Sequence, residues 1–174
     1  MTTTEKVPNP PVGMPRIAPH LFYNDVGAAI DFLVKAFDFK IRTRMKNDQG
    51  TVVHGDLEVE DSLVMLGLTE EHDHWQCPNS FAGQVSQRLF IYVDNIDAHF
   101  ERAKAAGAQI HSQPADQWHG ERVYEAVDPE GHRWKFAQAI FEIDQNDIQR
   151  PPELNGVDVK ETAPKETAPK EKAS

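Results

Sequence analysis

A histidine and a carboxylate stand two positions apart in one predicted strand, at His54 and Asp56. Because side chains alternate between the two faces of a strand, Val53 and Leu57 would turn toward a helix and this pair toward the opposite face. An imidazole titrates near neutral pH and can accept or release a proton. His54 is therefore a candidate general base, with Tyr124 as a second catalytic candidate, unless His54 is merely a hydrogen-bonded strand residue.

A second group of residues combines aromatic rings with positive charge. The same alternation turns Leu89 and Ile91 toward a helix and leaves their neighbours on the other face. We predict that the substrate-binding residues are Arg88, Phe90, Tyr92, Trp118, Arg122 and Lys135. Flat rings and cations suit a flat or apolar ligand that carries a carboxylate, a phenolate or another anion.

Structural roles are the alternative for several of these residues. Arg88 and Lys135 could pair with the acidic side chains Asp56 and Glu58 inside the sheet. Trp118 could simply fill a pocket, because aromatic side chains near loops often do so. The sequence alone leaves both interpretations open.

The candidate residues lie in two copies of an internal repeat. When Tyr23 is laid over Tyr92, residues 23–41 align with residues 92–110 without a gap, and 6 of the 19 positions are identical. Average amino-acid usage would give roughly one identity. This pairing, which also lays Asp25 over Asp94, is called here the repeat alignment. A repeat of this kind predicts two modules of the same structure.

Each copy predicts one strand, one helix and then three strands. An aspartate, Asp25 in the first copy or Asp94 in the second, can begin the helix as its N-cap, and Gly107 can end the second helix. Asp128 and Gly131 lie at the first and last positions of a predicted type I turn. The predicted strands are residues 17–23, 39–46, 51–59 and 62–68 in the first copy, and 88–93, 108–113, 121–127 and 132–138 in the second.

The composition of the two ends differs from that of the middle. Residues 1–15 are rich in Thr and Pro, and the segment 146–174 ends in repeats of Lys-Glu-Thr-Ala-Pro at residues 160–174. Such segments bury too little apolar surface to offset the entropy of ordering them, so both are predicted to be disordered tails. The folded domain is expected at residues 16–145, with module one at 16–68, a linker at 69–87 and module two at 88–140.

Charge and hydropathy restrict the classes of partner. The 174 residues carry a formal net charge of −10, and no basic stripe marks a nucleic-acid-binding surface. No apolar run reaches the ~18–20 residues that span a bilayer, so we expect no membrane partner. The single cysteine, Cys77, excludes an intramolecular disulfide and fits a cytoplasmic location.

Short motifs in both copies follow one another in the order and spacing of a known superfamily. They lie at residues 19–25, 28–32, 53–57 and 62–66 of the first copy, and at 92–97, 104–108 and 128–134 of the second. In these segments the chain resembles the glyoxalase/bleomycin-resistance/extradiol-dioxygenase (vicinal oxygen chelate) superfamily, and within it the PhnB-like subgroup. The resemblance implies an α+β fold of two tandem βαβββ modules, which form an open cleft sheet with helices on the convex face. It also implies a homodimer.

The resemblance locates where a metal would bind. In metal-using members, four His and Glu ligands lie on the first and last strands of each module. The matching positions here are Ala18 or Pro19, Met65, Arg88 and Lys135. Cations and a thioether are poor ligands for a hard or borderline divalent ion. We therefore predict no cofactor and no metal at these positions.

A rearranged metal site is the alternative, with His20 and His54 as ligands of a divalent ion. The repeat argues against His20, because the repeat alignment, continued toward the N-terminus, pairs it with Leu89 on the face toward the helix. On this register His20 would pack beneath the helix and would not meet a ligand.

Binding without chemistry is the leading hypothesis for function. The protein would bind or sequester a small aromatic or anionic molecule in the cleft, as the resemblance to bleomycin-resistance proteins implies. The alternative is a glyoxalase-like lyase or isomerase, favoured over a dioxygenase, that uses His54 with Tyr124 and the cations, or with a metal on rearranged ligands. A third hypothesis is an interaction protein that binds a partner through its C-terminal tail.

Overall fold

Eight strands and two α-helices follow one another along the part of the chain that the computed structural model describes, residues 7–69 and 74–142. Module one contains β1 (His20–Tyr23), α1 (Val26–Phe37), β2 (Lys40–Lys46), β3 (Val52–Val59) and β4 (Ser62–Leu68). After a 3-10 turn at Pro78–Phe81, module two contains β5 (Leu89–Tyr92), α2 (Ile96–Ala105), β6 (Gln109–Asp116), β7 (Glu121–Val127) and β8 (Arg133–Ala139). The predicted tandem βαβββ order is confirmed. The tail predicted at residues 146–174 lies outside the described residues, and no helix within them is long and apolar enough to cross a bilayer.

Each module folds as its own four-stranded sheet. The strand order is β1-β4-β3-β2 in sheet 1 and β5-β8-β7-β6 in sheet 2. In both sheets the first strand is parallel to the last, and the other neighbours are antiparallel. Strand alternation gives each sheet two unlike sides. In β3, for example, Leu57 and Val59 are buried toward the helix, whereas His54 and Asp56 point to the other side.

The helix sides of the two sheets share one hydrophobic core. In α1 the apolar residues recur every three to four positions, so that Val26 and Ile30 are both 0% exposed. The Phe37 ring lies 4.8 Å from Phe136 and 5.5 Å from Trp134 of module two. Burying each such side chain contributes about 1.5–3 kcal/mol, so the two modules stabilise each other.

The side of each sheet that is turned away from the shared core is called here its outward face. Cross-strand partners lie on the same face of a sheet, so the observed register assigns each residue to a face. The outward face of sheet 1 carries His20, Phe22, Thr43, His54, Asp56 and Met65, and that of sheet 2 carries Arg88, Phe90, Tyr92, Glu121, Glu125 and Lys135. The predicted fold class is confirmed, but within one chain the two outward faces lie on the far sides of a common core.

The helical segment of module one is one residue longer than that of module two, counted from the N-cap to the left-handed residue that follows the helix. Asp25 is the N-cap of α1, as predicted, and its side chain accepts the backbone N–H three positions on at 2.9 Å. The N-cap of α2 is Asn95, with the equivalent bond at 3.0 Å, so the prediction of Asp94 is wrong. The repeat alignment is therefore one position out at the N-caps, although it correctly pairs the left-handed residues that follow the helices, Asp38 and Gly107.

This difference changes which side chains correspond in the first strands of the modules. Tyr23 is on the helix side of β1 and 1% exposed, whereas Tyr92 is on the outward face of β5 and 56% exposed. The identity of these two tyrosines in the sequence repeat is therefore not a structural correspondence. The register that lays one N-cap over the other pairs His20 with Phe90 instead, and both are on outward faces.

A buried carboxylate joins the two modules. Asp128 is 4% exposed; it accepts the Tyr23 hydroxyl of module one at 2.8 Å and the Trp134 indole N–H at 3.1 Å. The backbone N–H groups of Glu130 and His132 also donate to its carboxylate, at 3.0 and 2.9 Å. Burial raises the pKa of the Asp128 carboxyl. The Asp128 side chain thus stabilises the predicted turn through two backbone N–H groups and links it to module one through Tyr23.

Replacing Asp128 by alanine should destabilise the fold strongly, because the Tyr23 hydroxyl and the Trp134 N–H would be buried without an acceptor. Each orphaned buried donor costs about 1–3 kcal/mol, so the free energy of unfolding in urea should fall by roughly 2–5 kcal/mol. Tyr23→Phe removes one of the four hydrogen bonds to the Asp128 carboxylate and leaves the other three. It should lower the free energy of unfolding by about 1 kcal/mol. Equal losses in the two variants would contradict this account of the junction.

Candidate functional site

His54 and Asp56 form a hydrogen-bonded pair on the outward face of sheet 1. His54 Nε2 donates to Asp56 Oδ1 at 3.2 Å, and the Thr43 hydroxyl donates to Asp56 Oδ2 at 2.8 Å. The backbone N–H of Asp56 donates back to Thr43 Oγ1 at 3.0 Å. Thr43 is the cross-strand partner of Asp56, so the sheet register holds the carboxylate and the carboxylate orients the imidazole.

His20 lies on the same face as His54, and its predicted position beneath the helix is wrong. It stands opposite Met65 in the parallel pairing of β1 with β4, and the His20 and His54 rings are 5.6 Å apart, edge to face. Gly67 is the cross-strand partner of His54, and a Cβ on it would approach His20 Nε2 to 2.7 Å. The missing side chain lets the two imidazoles approach each other. The single-position difference between the modules explains why the sequence repeat misplaced His20.

An aromatic stack borders the two histidines. The Phe22 and Trp75 rings are 5.2 Å apart and tilted by only 6°, and Phe22 also lies 4.6 Å from the His20 ring. Trp75 remains 55% exposed. Sequence reasoning missed Trp75 because the linker has no periodicity, and its one signal was a large apolar residue in a polar segment.

Arg88 and Lys135 share a single carboxylate on the outward face of sheet 2. Arg88 Nη1 lies 2.6 Å from Glu125 Oε1, and Lys135 Nζ lies 3.7 Å from the same oxygen. Glu125 stands opposite Lys135 in the pairing of β7 with β8. The alternative pairing with Asp56 and Glu58 is therefore wrong. Sequence reasoning missed Glu125, although the repeat alignment, continued toward the C-terminus, pairs it with Asp56.

Two exposed aromatic side chains flank this ionic cluster. Phe90 is 45% exposed, and its ring centroid lies 5.4 Å from that of Tyr92. The Lys135 ammonium lies 5.8 Å from the centre of the Phe90 ring, within the range of a cation–π interaction. Four of the six predicted binding residues thus come together on this face. Arg88 and Lys135 meet at Glu125, Lys135 lies over Phe90, and Phe90 contacts Tyr92.

A carboxylate, a phenol and an imidazole meet near Tyr92. The Tyr92 hydroxyl donates to Glu121, and His119 Nδ1 lies 3.2 Å from the other oxygen of Glu121. The hydrogen bond to the Glu121 carboxylate raises the pKa of Tyr92. Trp118, a predicted binding residue, packs edge-on against the His119 ring at 5.3 Å. Trp118 is thus in the turn between β6 and β7, next to the histidine that contacts Glu121.

Tyr124 lies on the helix side of β7, and its predicted position in the cleft is wrong. It stands opposite Phe136 in the β7–β8 register and is fully buried. Its hydroxyl bonds to Nδ1 of His99 on α2 at 2.6 Å, and burial raises its pKa. A phenol enclosed in this way cannot contact a ligand on the outward face.

Arg122 also lies on the helix side, and its predicted position in the cleft is wrong. Its guanidinium pairs with Asp97 of α2 at 3.0 Å and with Asp116 of β6 at 2.6 Å. The prediction matched His54 of module one to Arg122 of module two, which is one position too early. The repeat alignment pairs His54 with Val123, which is the residue on the outward side of β7.

Comparison with known proteins agrees with this architecture. The sequence model of the Glyoxalase/Bleomycin resistance protein/Dioxygenase superfamily matches residues 13–136. The chain belongs to this superfamily. An uncharacterized protein from Mycobacterium bovis is 33% identical over 145 residues, which are 82% of this chain and 95% of that protein.

Solved structures share this fold. TioX from Micromonospora sp. ML1 is 33% identical with a TM-score of 0.59, over 71% of this chain and 97% of TioX. The fosfomycin resistance protein FosX of Listeria monocytogenes is 13% identical with a TM-score of 0.53, over 70% of this chain and 90% of FosX. At that identity FosX supports the fold alone.

The metal positions implied by the superfamily do not fit a divalent ion in this chain. Ala18 offers no donor and Met65 offers a thioether, whereas Arg88 and Lys135 are cations paired with Glu125. Within residues 7–69 and 74–142, no three His, Cys, Asp or Glu side chains converge to hold a metal. No reaction step is therefore assigned to a metal at those positions.

Acidification should destabilise the protein through His99. Its Nε2 donates to the Phe37 carbonyl at 3.2 Å, and burial lowers its pKa below the unfolded value of about 6.5. The unfolded state then binds more protons, so this contribution to stability is complete above about pH 6.5 and is lost as the pH falls through the folded pKa. Urea unfolding at about pH 7.5 and 5.5 should show the loss in the wild type and a smaller loss in His99→Gln. An equal dependence on pH in both proteins would exclude His99 as its source.

Proposed function

We propose that this superfamily member binds a small planar aromatic molecule with an anionic group, and holds it without chemistry. One observation carries the proposal: Arg88 and Lys135 share the single carboxylate of Glu125 beside the exposed ring of Phe90. This cluster has an excess of one positive charge. A positive charge next to an apolar ring favours a ligand in which a flat ring bears one negative charge.

The surroundings of Lys135 strengthen its attraction for an anion. Its side chain is only 16% exposed, so water screens its charge less than that of a surface lysine. A ligand ring that packs on Phe90 would bring its own carboxylate or phenolate to the ammonium and to the Arg88 guanidinium. Hydrogen bonds between charged groups are roughly twice as strong as neutral ones, which supports recognition of an anion at this point.

A second copy of the chain completes the proposed site. Large apolar side chains are exposed on or beside both outward faces, Met45 and Trp75 at sheet 1 and Phe90 and Tyr92 at sheet 2. Exposed apolar patches of this kind mark interaction surfaces. A twofold axis would set sheet 1 of each copy against sheet 2 of the other and form two equivalent clefts. Each cleft would then combine the histidine pair of one copy with the cationic cluster of the other.

We also propose a PhnB-like subgroup, sequestration of the bleomycin-resistance kind, a cytoplasmic location and a small-molecule partner. The order and spacing of the motifs support the PhnB-like subgroup, and the superfamily's own description supports sequestration of the bleomycin-resistance kind. The free, buried Cys77 supports a cytoplasmic location. The net charge of −10 supports a small molecule as partner over nucleic acid.

A glyoxalase-like lyase or isomerase is the second candidate, because His54 has a carboxylate partner. Asp56 engages Nε2 of the imidazole and leaves Nδ1 as the nitrogen that would accept a substrate proton. Because Tyr124 is buried on the helix side, this candidate activity would depend on His54 and Asp56 alone. Turnover that is lost on His54→Gln at an unchanged melting temperature would identify the enzyme, and ligand binding without turnover would identify the sequestering protein.

Replacing Lys135 by methionine should weaken the binding of 1-naphthoate, a planar aromatic carboxylate, by about tenfold or more. A hydrogen bond to a charged group is worth ~1.5–3 kcal/mol, and about 1.4 kcal/mol corresponds to a factor of ten in affinity. Lys104→Met is the matched control, because Lys104 also lies over a ring, that of Phe100 at 5.7 Å, but on α2. It removes the same charge away from the outward face and should leave the affinity unchanged. Isothermal titration calorimetry measures both.

Comparison with the uncharged 1-naphthamide distinguishes the contribution of the anionic group to affinity from that of the ring. The wild type should bind naphthoate more tightly than naphthamide, whereas Lys135→Met should bind the two about equally. A wild type without this preference, or equal losses in the two lysine variants, would exclude recognition of an anion by this cluster.

The wild-type chain should sediment as a dimer, and Phe90→Asp should shift it toward the monomer. The substitution puts a charge into the apolar contact and leaves the shared core intact, because Phe90 points away from that core. Sedimentation velocity measures the mass, and circular dichroism checks that the variant is folded. A monomeric wild type at high micromolar concentration would rule out a site completed by a second copy.

A further inference from the structure

We infer that the outward face of sheet 1 binds a copper(I) ion through the imidazoles of His20 and His54 and the thioether of Met65. The three donors come from three neighbouring strands, β1, β3 and β4. Within one chain this site is on the other sheet from the proposed anion site, and the inference does not rest on the proposed function.

The register of sheet 1 brings the three donors together. Met65 is the cross-strand partner of His20 on one side and of Asp56 on the other, so it stands between β1 and the strand that carries His54. The His20 and His54 ring centroids are 5.6 Å apart. Metal–imidazole bonds are about 2.0 Å long, so one ion needs a nitrogen of each ring within roughly 4 Å of the other. A separation of 5.6 Å between the ring centroids is compatible with this condition, because the nitrogens of each ring lie off its centroid.

The position of His20 beside His54 depends on a glycine. A Cβ at Gly67 would lie 2.7 Å from His20 Nε2 and 3.0 Å from the Phe22 ring. Gly67 is also the cross-strand partner of His54. The His20 ring therefore occupies the position that a side chain at residue 67 would take, and this brings it close to the strand that carries His54.

Asp56 and Thr43 supply the outer support that a metal-binding histidine requires. A ligating imidazole usually donates its other N–H to a carboxylate, which fixes the ring and raises its basicity. His54 Nε2 donates to Asp56 at 3.2 Å, and Thr43 donates to the same carboxylate at 2.8 Å. Nδ1 of His54 is then the nitrogen for the ion, and Asp56 is a positioning residue.

The donor types select a soft ion. Zinc sites use three or four His, Cys, Asp or Glu ligands, and no three of these converge within the two described stretches, 7–69 and 74–142. A thioether is a soft ligand that favours copper(I), and imidazole also binds copper. Two imidazoles and a thioether therefore suit copper(I) and are a poor set for magnesium, manganese or zinc.

Anaerobic titration of the full chain with copper(I), in competition with the chelator bicinchoninate, tests the inference. The wild type should take up one ion per chain. Asp56→Asn should weaken binding by about 10–100-fold, the usual effect of losing the outer partner of a metal ligand. His20→Gln, His54→Gln and Met65→Leu should weaken it at least as much. Gly67→Ala should weaken it as well, because the new methyl group displaces His20.

Two variants serve as matched controls. Glu58→Gln removes a carboxylate from the same strand as Asp56, two positions along, and His74→Gln removes an exposed histidine of the linker. Neither should change the affinity for copper(I) more than about twofold, well below the outer-partner effect. Melting temperatures of the copper-free variants show that a lost site is not a lost fold.

Three results would overturn the inference: a wild type that does not take copper(I) from the chelator, binding that survives both His54→Gln and Met65→Leu, or binding that His74→Gln abolishes. Lys135→Met should keep full copper(I) affinity. A failure of naphthoate binding with intact copper(I) binding would reject the proposed function alone, and the reverse would reject this site alone.

Discussion

One hydrophobic core serves both modules, and the position of every functional residue depends on which side of its sheet faces that core. The helix sides of the two sheets are buried together, through Phe37 of one module and Trp134 and Phe136 of the other. Each sheet therefore has only one side left for ligands. Because side chains alternate along a strand, a shift by a single position exchanges the buried set for the exposed set.

The fold could be predicted from the repeat and from strand alternation, since both are properties of long segments. The strand predicted at residues 51–59 is Val52–Val59, and the one predicted at 62–68 is Ser62–Leu68. The outward positions of Phe90 and Tyr92 also followed from alternation within a single strand. These predictions succeeded because they did not require the register between the two modules.

The errors in the site have one cause. The repeat alignment holds for β2 and β3, but β1 and the start of α1 are displaced from it by a single position, so that Asp25 corresponds to Asn95. His20 was assigned to the wrong face for this reason, and a miscount of the same size misplaced Arg122 and Tyr124. Glu125 and Thr43 were missed for a different reason. Their importance comes from partners on neighbouring strands, and a single sequence does not show which charges and hydroxyl groups meet in space.

The contact between His132 and β1 has a consequence for how the edge of sheet 1 can pair with another chain. An edge strand exposes a row of backbone donors and acceptors that can template pairing with another chain. In β1 the Phe22 carbonyl is already occupied, because His132 Nε2 donates to it at 2.9 Å. β5 occupies the same edge position in sheet 2, and β8 is its only partner among the strands of the described residues. The two first strands thus differ at their edges: in β1 one backbone acceptor is already used by module two, which lowers the capacity of that edge to pair with another chain.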